Sequence, residues 1–88
     1  MPERTVQIVN KAGLHARPAA EIVKLAARYK SDITVMRDEL EVNGKSIMGV
    51  MMLAAECGSR LQLKAEGPDA DEALDALANL FQSKFGES

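Results

Sequence analysis

Seven consecutive residues, Gly13-Leu14-His15-Ala16-Arg17-Pro18-Ala19, combine side chains that can hold and transfer an anionic group. His15 is the only histidine in the chain, and a neutral imidazole has a nitrogen lone pair that can act as a nucleophile. Pro18 indicates the first turn of a helix, because proline lacks the N–H group that has no intrahelical partner there. The pattern predicts that His15 lies where an irregular segment enters a helix.

The start of such a helix attracts anions. The backbone N–H groups of Ala16 and Arg17 have no intrahelical acceptor, and the helix dipole places about half a positive charge beside them. The Arg17 guanidinium matches the oxygens of a phosphate. A phosphoryl group on His15 would therefore meet oriented donors and a cation, as phosphoryl transfer requires. Residue types alone also allow a plainer interpretation, in which His15 is a helix cap or surface residue and Arg17 a solvated charge.

The elements that position these residues follow from hydrophobic periodicity. Alternating polar and apolar residues predict four strands, at Thr5–Val9, Ile33–Met36, Leu40–Val42 and Arg60–Glu66. Helical spacing predicts three helices: one over Ala16–Arg28 with Ala19, Ile22, Val23, Ala26 and Ala27 on its apolar face, one running from Ser46 through Leu53, and one after Asp69 with the stripe Leu74, Leu77 and Phe81. Asp69 followed by Glu72 resembles a capping box.

With 88 residues, the chain is expected to form one domain spanning residues 1–88. The order strand, helix, strand, strand, helix, strand, helix favours a two-layer α/β sandwich, in which helices cover one face of a mainly antiparallel sheet.

Composition excludes several classes of function. The net charge of −2, one tyrosine, two phenylalanines and no tryptophan argue against a nucleic-acid binder. The single cysteine, Cys57, allows no internal disulfide or C-x-x-C metal site. The first residues lack the apolar core of a signal peptide, and no apolar run is long enough to cross a bilayer. We therefore expect a cytoplasmic protein without a metal or membrane association.

Ser46 follows the turn signal Asn43-Gly44. Its hydroxyl is placed to accept a hydrogen bond from the first turn of the short helix, which is a structural role in its own right. On this helix, Val50 and Leu53 are predicted to face the sheet. That leaves Ile47, Met48 and Met51 partly exposed, and such an adaptable apolar surface suits several partners. Ala20 and Lys24 on the preceding helix would extend the surface around His15.

Two segments resemble the HPr family of histidine-phosphorylated phosphocarriers. Gly-Leu-His-Ala-Arg-Pro-Ala-Ala at residues 13–20 is similar to the family's active-site signature. Asn-Gly-Lys-Ser-Ile-Met-Gly-Val-Met at residues 43–51 is similar to its second signature, around a regulatory serine. The resemblance covers essentially the whole chain. It implies a four-stranded antiparallel sheet covered on one face by three helices, and phosphorylation at Nδ1 of His15 with Arg17 stabilising the phosphate.

The resemblance also implies partners. Enzyme I, charged from phosphoenolpyruvate, would be the donor, and the sugar-specific enzyme IIA domains would be the acceptors. Ser46 would be phosphorylated by HPr kinase/phosphorylase, in a form that a catabolite-control transcription factor can read. The chain would act as a monomeric carrier with small transient interfaces, with no cofactor of its own and without being an enzyme.

Two alternatives remain open from the sequence. One is a nitrogen-related regulatory phosphocarrier with the same His15 chemistry and different partners. The other is a small ligand- or nucleic-acid-binding α/β module in which His15 only caps a helix.

Overall fold

The computed structural model describes residues 2–86, so residues 1, 87 and 88 of the predicted domain lie outside the described residues. Its elements follow the predicted order: β1 (Glu3–Gln7), α1 (Ala16–Ala26), β2 (Asp32–Arg37), β3 (Leu40–Asn43), α2 (Ile47–Met52), β4 (Arg60–Glu66) and α3 (Ala70–Gln82). A short 3-10 turn, Lys84–Gly86, follows α3 and is called the C-terminal turn below.

The strands form one sheet in the order β1-β4-β2-β3. The pairings of β1 with β4, β4 with β2 and β2 with β3 are all antiparallel. Asp38 and Glu39 join β2 to β3 in a tight hairpin, in which Asp38 takes a φ of 54°. A positive φ is tolerated by aspartate more readily than by bulky residues. The predicted antiparallel sheet is confirmed.

The two faces of the sheet differ as the alternation predicts. Leu61, Leu63 and Ala65 of β4 are buried on the helix side, while Gln62 between them is exposed. Met36 pairs with Gln62 and is an apolar residue buried on the other face. The three helices cover one face of a four-stranded sheet, which confirms the predicted two-layer sandwich.

The boundaries shift by two residues at two elements and by no more than one residue elsewhere. Helix α1 ends at Ala26 rather than Arg28, because the amide of Arg28 donates to Leu25 O at 3.1 Å and so tightens the last turn. As a result Ala27, predicted on the apolar face, is exposed. Strand β1 covers Glu3–Gln7 rather than residues 5–9.

The core lies between the sheet and the helices, and the C-terminal turn closes one end of it. The rings of Phe81 and Phe85 pack edge to face with centroids 5.1 Å apart. Phe85 is buried although its φ is 55°, so the burial of its ring offsets a strained backbone. This packing holds the end of the described chain against α3. No helix within residues 2–86 is long and apolar enough to cross a membrane.

Candidate functional site

His15 lies at the junction that the sequence predicts. It is the residue before α1, with φ −92° and ψ −171°, and its side chain is exposed. Its carbonyl accepts the first intrahelical hydrogen bond, from Ala19 N at 3.0 Å. Within the described residues the imidazole makes no capping hydrogen bond to the first turn. His15 therefore occupies the N-cap position of α1 without a capping hydrogen bond from its side chain.

The first turn of α1 presents backbone donors beside His15. Ala16 and Arg17 precede the Ala19 amide that makes the first intrahelical bond, so neither N–H has an acceptor within the helix. Pro18, next in the chain, is buried and has no N–H to offer. The positive end of the helix dipole and these two amides favour an anion at this position.

The loop before His15 is held tightly. The buried side chain of Asn10 donates from Nδ2 to Gly13 O at 2.8 Å, and Leu14 N donates to Ala55 O at 2.9 Å. Gly13 has a φ of 71°, and a Cβ there would lie 2.9 Å from Ala55 O. Only glycine meets both conditions without strain. The loop thus fixes the backbone from which His15 projects.

Arg17 is exposed, and its guanidinium reaches the C-terminal turn. Its Nη2 donates to Phe85 O at 3.3 Å, which is long for an N–H···O hydrogen bond. This link between the first turn of α1 and the end of the described chain was not predicted from sequence.

Ser46 occupies the predicted position before α2. Its hydroxyl accepts a hydrogen bond from Gly49 N at 3.2 Å, so the predicted helix-capping role is confirmed. The Asn43 side chain shapes the preceding turn by accepting from Lys45 N at 2.9 Å. Ser46 is half-buried, and its hydroxyl lies at the start of the helix that carries the predicted apolar surface.

The burial predicted for α2 is confirmed. Val50 and Leu53 are buried. Met48 is 75 % exposed, and Ile47 and Met51 are 41 % and 44 % exposed. Met52 is also exposed, at 66 %. On α1, Ala20 is half-buried and Lys24 exposed. Helices α1 and α2 pack against each other. The docking patch, as it is called below, consists of Ala20, Lys24, Ile47, Met48 and Met51.

Sequence reasoning missed three contributors to this site: Asn10, the Phe85 carbonyl and Arg37. Arg37 donates from Nη1 to the carbonyls of Leu53 and Ala54 at the end of α2. Asn10 and Gly13, spaced three apart before the helix, are residue types typical of turns, and this local pattern indicates a turn before His15. No local pattern marks the other two, because their partners lie 68 and 16 residues away.

Comparison with known proteins agrees with this geometry. Residues 2–83 match the family described as the PTS HPr component phosphorylation site. The phosphocarrier protein HPr of Treponema pallidum is 56 % identical over 87 residues, covering 99 % of each chain. The crystal structure of HPr from Thermoanaerobacter tengcongensis superposes with a TM-score of 0.95 at 51 % identity, covering 100 % of this chain and 99 % of that one.

The chain therefore belongs to the HPr family, and it is a phosphocarrier of the phosphotransferase system rather than an enzyme. The phosphocarrier protein NPr of Shewanella violacea is also similar, at 41 % identity over 98 % of this chain and 94 % of that one. A further structure from T. tengcongensis, described as an HPr dimer, has a TM-score of 0.80 at 52 % identity and covers 99 % of this chain and 100 % of that one.

Proposed function

We propose that His15 accepts a phosphoryl group from enzyme I and passes it to enzyme IIA domains for sugar uptake. The observation that carries the proposal is the exposed His15 side chain at the start of α1, beside the amides of Ala16 and Arg17. The family supports it, since its matched description names a phosphorylation site.

The transfer needs only a nucleophile and a place for the phosphoryl charge. The lone pair of Nδ1 of His15 forms a nitrogen–phosphorus bond while the bond from phosphorus to the donor breaks. In the second step the acceptor's nucleophile attacks phosphorus and the His15 nitrogen leaves with its lone pair restored. The amides of Ala16 and Arg17 stabilise the phosphoryl oxygens in both steps. No cofactor of this chain takes part.

Arg17 is proposed to bind the phosphoryl group directly. Its hydrogen bond to Phe85 O is 3.3 Å long and has a neutral acceptor. Phosphoryl oxygens are anionic acceptors, and a guanidinium can bind two of them through short, parallel hydrogen bonds. The guanidinium therefore gains by exchanging the carbonyl for the phosphoryl oxygens.

Intact mass spectrometry tests the proposal. The protein is incubated with phosphoenolpyruvate, Mg²⁺ and enzyme I, and it should gain one acid-labile phosphoryl group. His15→Ala should gain none, whereas Ser46→Ala, which keeps the histidine, should gain it normally. Phosphorylation of His15→Ala to the level of the parent protein would refute the assignment.

We further propose that Ser46 is a regulatory phosphorylation site for HPr kinase/phosphorylase, and that a catabolite-control transcription factor reads the product. Phosphorylation adds about two negative charges at the start of α2, next to Ile47 and Met48 of the docking patch. Partners with acidic surfaces would be repelled, so transfer to His15 would slow.

Ser46→Asp tests this charge effect. Its kcat/KM for phosphorylation by enzyme I should fall several-fold, mainly through KM, because like charges repel across the interface. Ser46→Asn is the matched control, since asparagine also caps helices but adds no charge. Equal kcat/KM values for the Asp and Asn variants would contradict the proposed regulation.

The remaining assignments follow from a carrier role. The docking patch, formed by Ala20, Lys24 and the exposed α2 residues Ile47, Met48 and Met51, is proposed to bind both enzyme I and enzyme IIA. The chain is also proposed to work in the cytoplasm, as one domain and as a monomer. Sedimentation equilibrium at micromolar concentration tests the monomeric state.

The similarity to NPr favours one alternative, a nitrogen-related phosphocarrier with the same His15 chemistry. The sugar and nitrogen branches differ in the enzyme I that phosphorylates the carrier. Parallel phosphorylation time courses with each host enzyme distinguish the two, and preference for the nitrogen-related enzyme would assign the alternative.

A further inference from the structure

Arg37 holds the C-terminal end of α2. It is the last residue of β2, and its Nη1 donates to Leu53 O at 2.9 Å and to Ala54 O at 3.0 Å. The last carbonyls of a helix lack intrahelical donors, and a cation there also complements the helix dipole. One guanidinium thus ties the end of α2 to the sheet, 16 residues earlier in the chain.

The segment that Arg37 holds leads directly to the loop before His15. Ala54 has a φ of 48°, a left-handed conformation that is unfavourable for alanine. The next carbonyl, that of Ala55, accepts the hydrogen bond from Leu14 N at 2.9 Å. Gly13 packs so closely that a Cβ on it would lie 2.9 Å from Ala55 O and 3.1 Å from Glu56 Cα. Movement of residues 54–56 would therefore displace Gly13 and Leu14.

We propose that Arg37 is a positioning residue for phosphoryl transfer, which couples the docking patch on α2 to the backbone that carries His15. The inference rests on the proposed function of His15. Arg37 touches neither the phosphoryl group nor the reacting nitrogen, so it acts through residues 53–55. Removing its guanidinium leaves the carbonyls of Leu53 and Ala54, just after α2, without this donor and leaves the strained Ala54 backbone unsupported.

The kinetic test compares Arg37→Met with the parent protein, because methionine keeps an apolar stem and removes the donors. At a temperature where circular dichroism shows both proteins fully folded, its kcat/KM for phosphorylation by enzyme I should fall on the order of tenfold, since small misplacements of reacting groups are costly. KM should rise because the part of the docking patch on α2 is displaced. The kcat should fall because the backbone that carries His15 is displaced. Arg37→Lys should recover part of the loss.

Arg60→Met is the matched control. Arg60 is an exposed arginine on β4, so its substitution changes the net charge equally without touching α2. Its kcat and KM should equal those of the parent protein. A purely structural role for Arg37 predicts lower thermal stability but unchanged kinetics in the folded state, and that result would overturn the inference.

Amide hydrogen exchange follows the coupling itself. The Leu14 N–H, which donates to Ala55 O, should exchange on the order of tenfold faster in Arg37→Met, as expected when a charge-assisted hydrogen bond is lost nearby. Arg60→Met should leave it unchanged. An unchanged Leu14 rate in Arg37→Met would refute the coupling. Failure of the parent protein to take a phosphoryl group would instead refute the proposed function, so the two failures are distinguishable.

Discussion

The backbone on both sides of His15 fixes the position from which its imidazole projects. His15 is exposed, yet the residues on either side of it are constrained by Gly13, whose neighbours leave no room for a Cβ, and by Pro18, which is buried. Arg17 contributes a positive charge, and its guanidinium donates a hydrogen bond to the carbonyl of Phe85, which is distant in the sequence. At the scale of the residue, the proposed function would use an accessible imidazole on a rigid backbone, which lowers the cost of orienting a phosphoryl group.

Met48 provides a test at the residue scale. Met48→Asp places a charge at the most exposed apolar side chain of α2, and burying that charge against a partner is unfavourable. The KM for phosphorylation by enzyme I should rise about tenfold, as for a central interface residue, while kcat stays near the parent value. Gln62→Asp adds the same charge on the face of the sheet away from the helices and should leave KM unchanged. A parental KM for Met48→Asp would show that the docking patch is wrongly assigned.

At the scale of the element, α2 depends on residues outside itself. Its six residues are too few to form a stable helix in isolation. The Ser46 hydroxyl satisfies an amide at its start, Arg37 satisfies carbonyls at its end, and Val50 anchors it in the core. The helix that carries the docking patch is therefore held at three points, which keeps exposed apolar side chains in a defined place.

Ala54 just beyond α2 offers a stability test. Ala54→Gly should raise the free energy of unfolding by about 0.5–1 kcal/mol, because glycine relieves the cost of a left-handed backbone and loses part of that gain to entropy. Urea denaturation measures the change. Ala76→Gly, the same substitution inside α3, should lower the free energy of unfolding by about 1 kcal/mol. A decrease for Ala54→Gly would contradict the assigned strain.

At the scale of the whole molecule, Asp69 joins two distant parts of the fold. The sequence predicts that its carboxylate caps α3. Instead the carboxylate accepts hydrogen bonds from Ser31 Oγ at 2.5 Å and from the amides of Lys30 and Ser31 at 2.9 Å each. The start of α3 is thereby tied to the turn between α1 and β2. Asp71 and Glu72 still place acidic groups in the first turn of α3, where the helix dipole favours them.

These contacts predict a pH dependence. The hydrogen bond from the Ser31 hydroxyl, followed by that from the Lys30 amide, lowers the pKa of Asp69 to about 2 from its ordinary 3.8. Because the pKa is lower in the folded chain, the stabilisation is complete above the ordinary value and is lost as the pH falls toward 2. Asp69→Asn should be less stable than the parent protein at pH 7, and the difference should shrink between pH 4 and pH 2.

Denaturation at a series of pH values measures this difference. Asp71→Asn is the control for the helix dipole alone, since Asp71 is exposed in the first turn of α3, and its stability should differ from the parent's by less than that of Asp69→Asn. A constant gap between Asp69→Asn and the parent protein from pH 7 to pH 2 would show that ionisation of this carboxyl does not stabilise the fold.

Local sequence patterns were sufficient to predict the strands and helices and to place the central residues of the site. Alternation and helical spacing depend on which face of a segment is buried, so strands, helices and the exposed side of α2 could be read from residue types. His15, Ala16 and Arg17 could be placed at a helix start because Pro18 indicates the first turn. The end of α1 was wrong by two residues, since hydrogen bonds in the last turn depend on how the chain leaves the helix.

What the sequence by itself determined is the set of elements, the face each one buries, and the histidine at the start of a helix. The tertiary structure alone decided which distant groups meet: Asp69 with Ser31, Arg17 with the Phe85 carbonyl, and Arg37 with the end of α2. The physical reason is that periodicity reports burial along one segment, whereas a hydrogen bond between segments depends on how the packed layers bring their ends together.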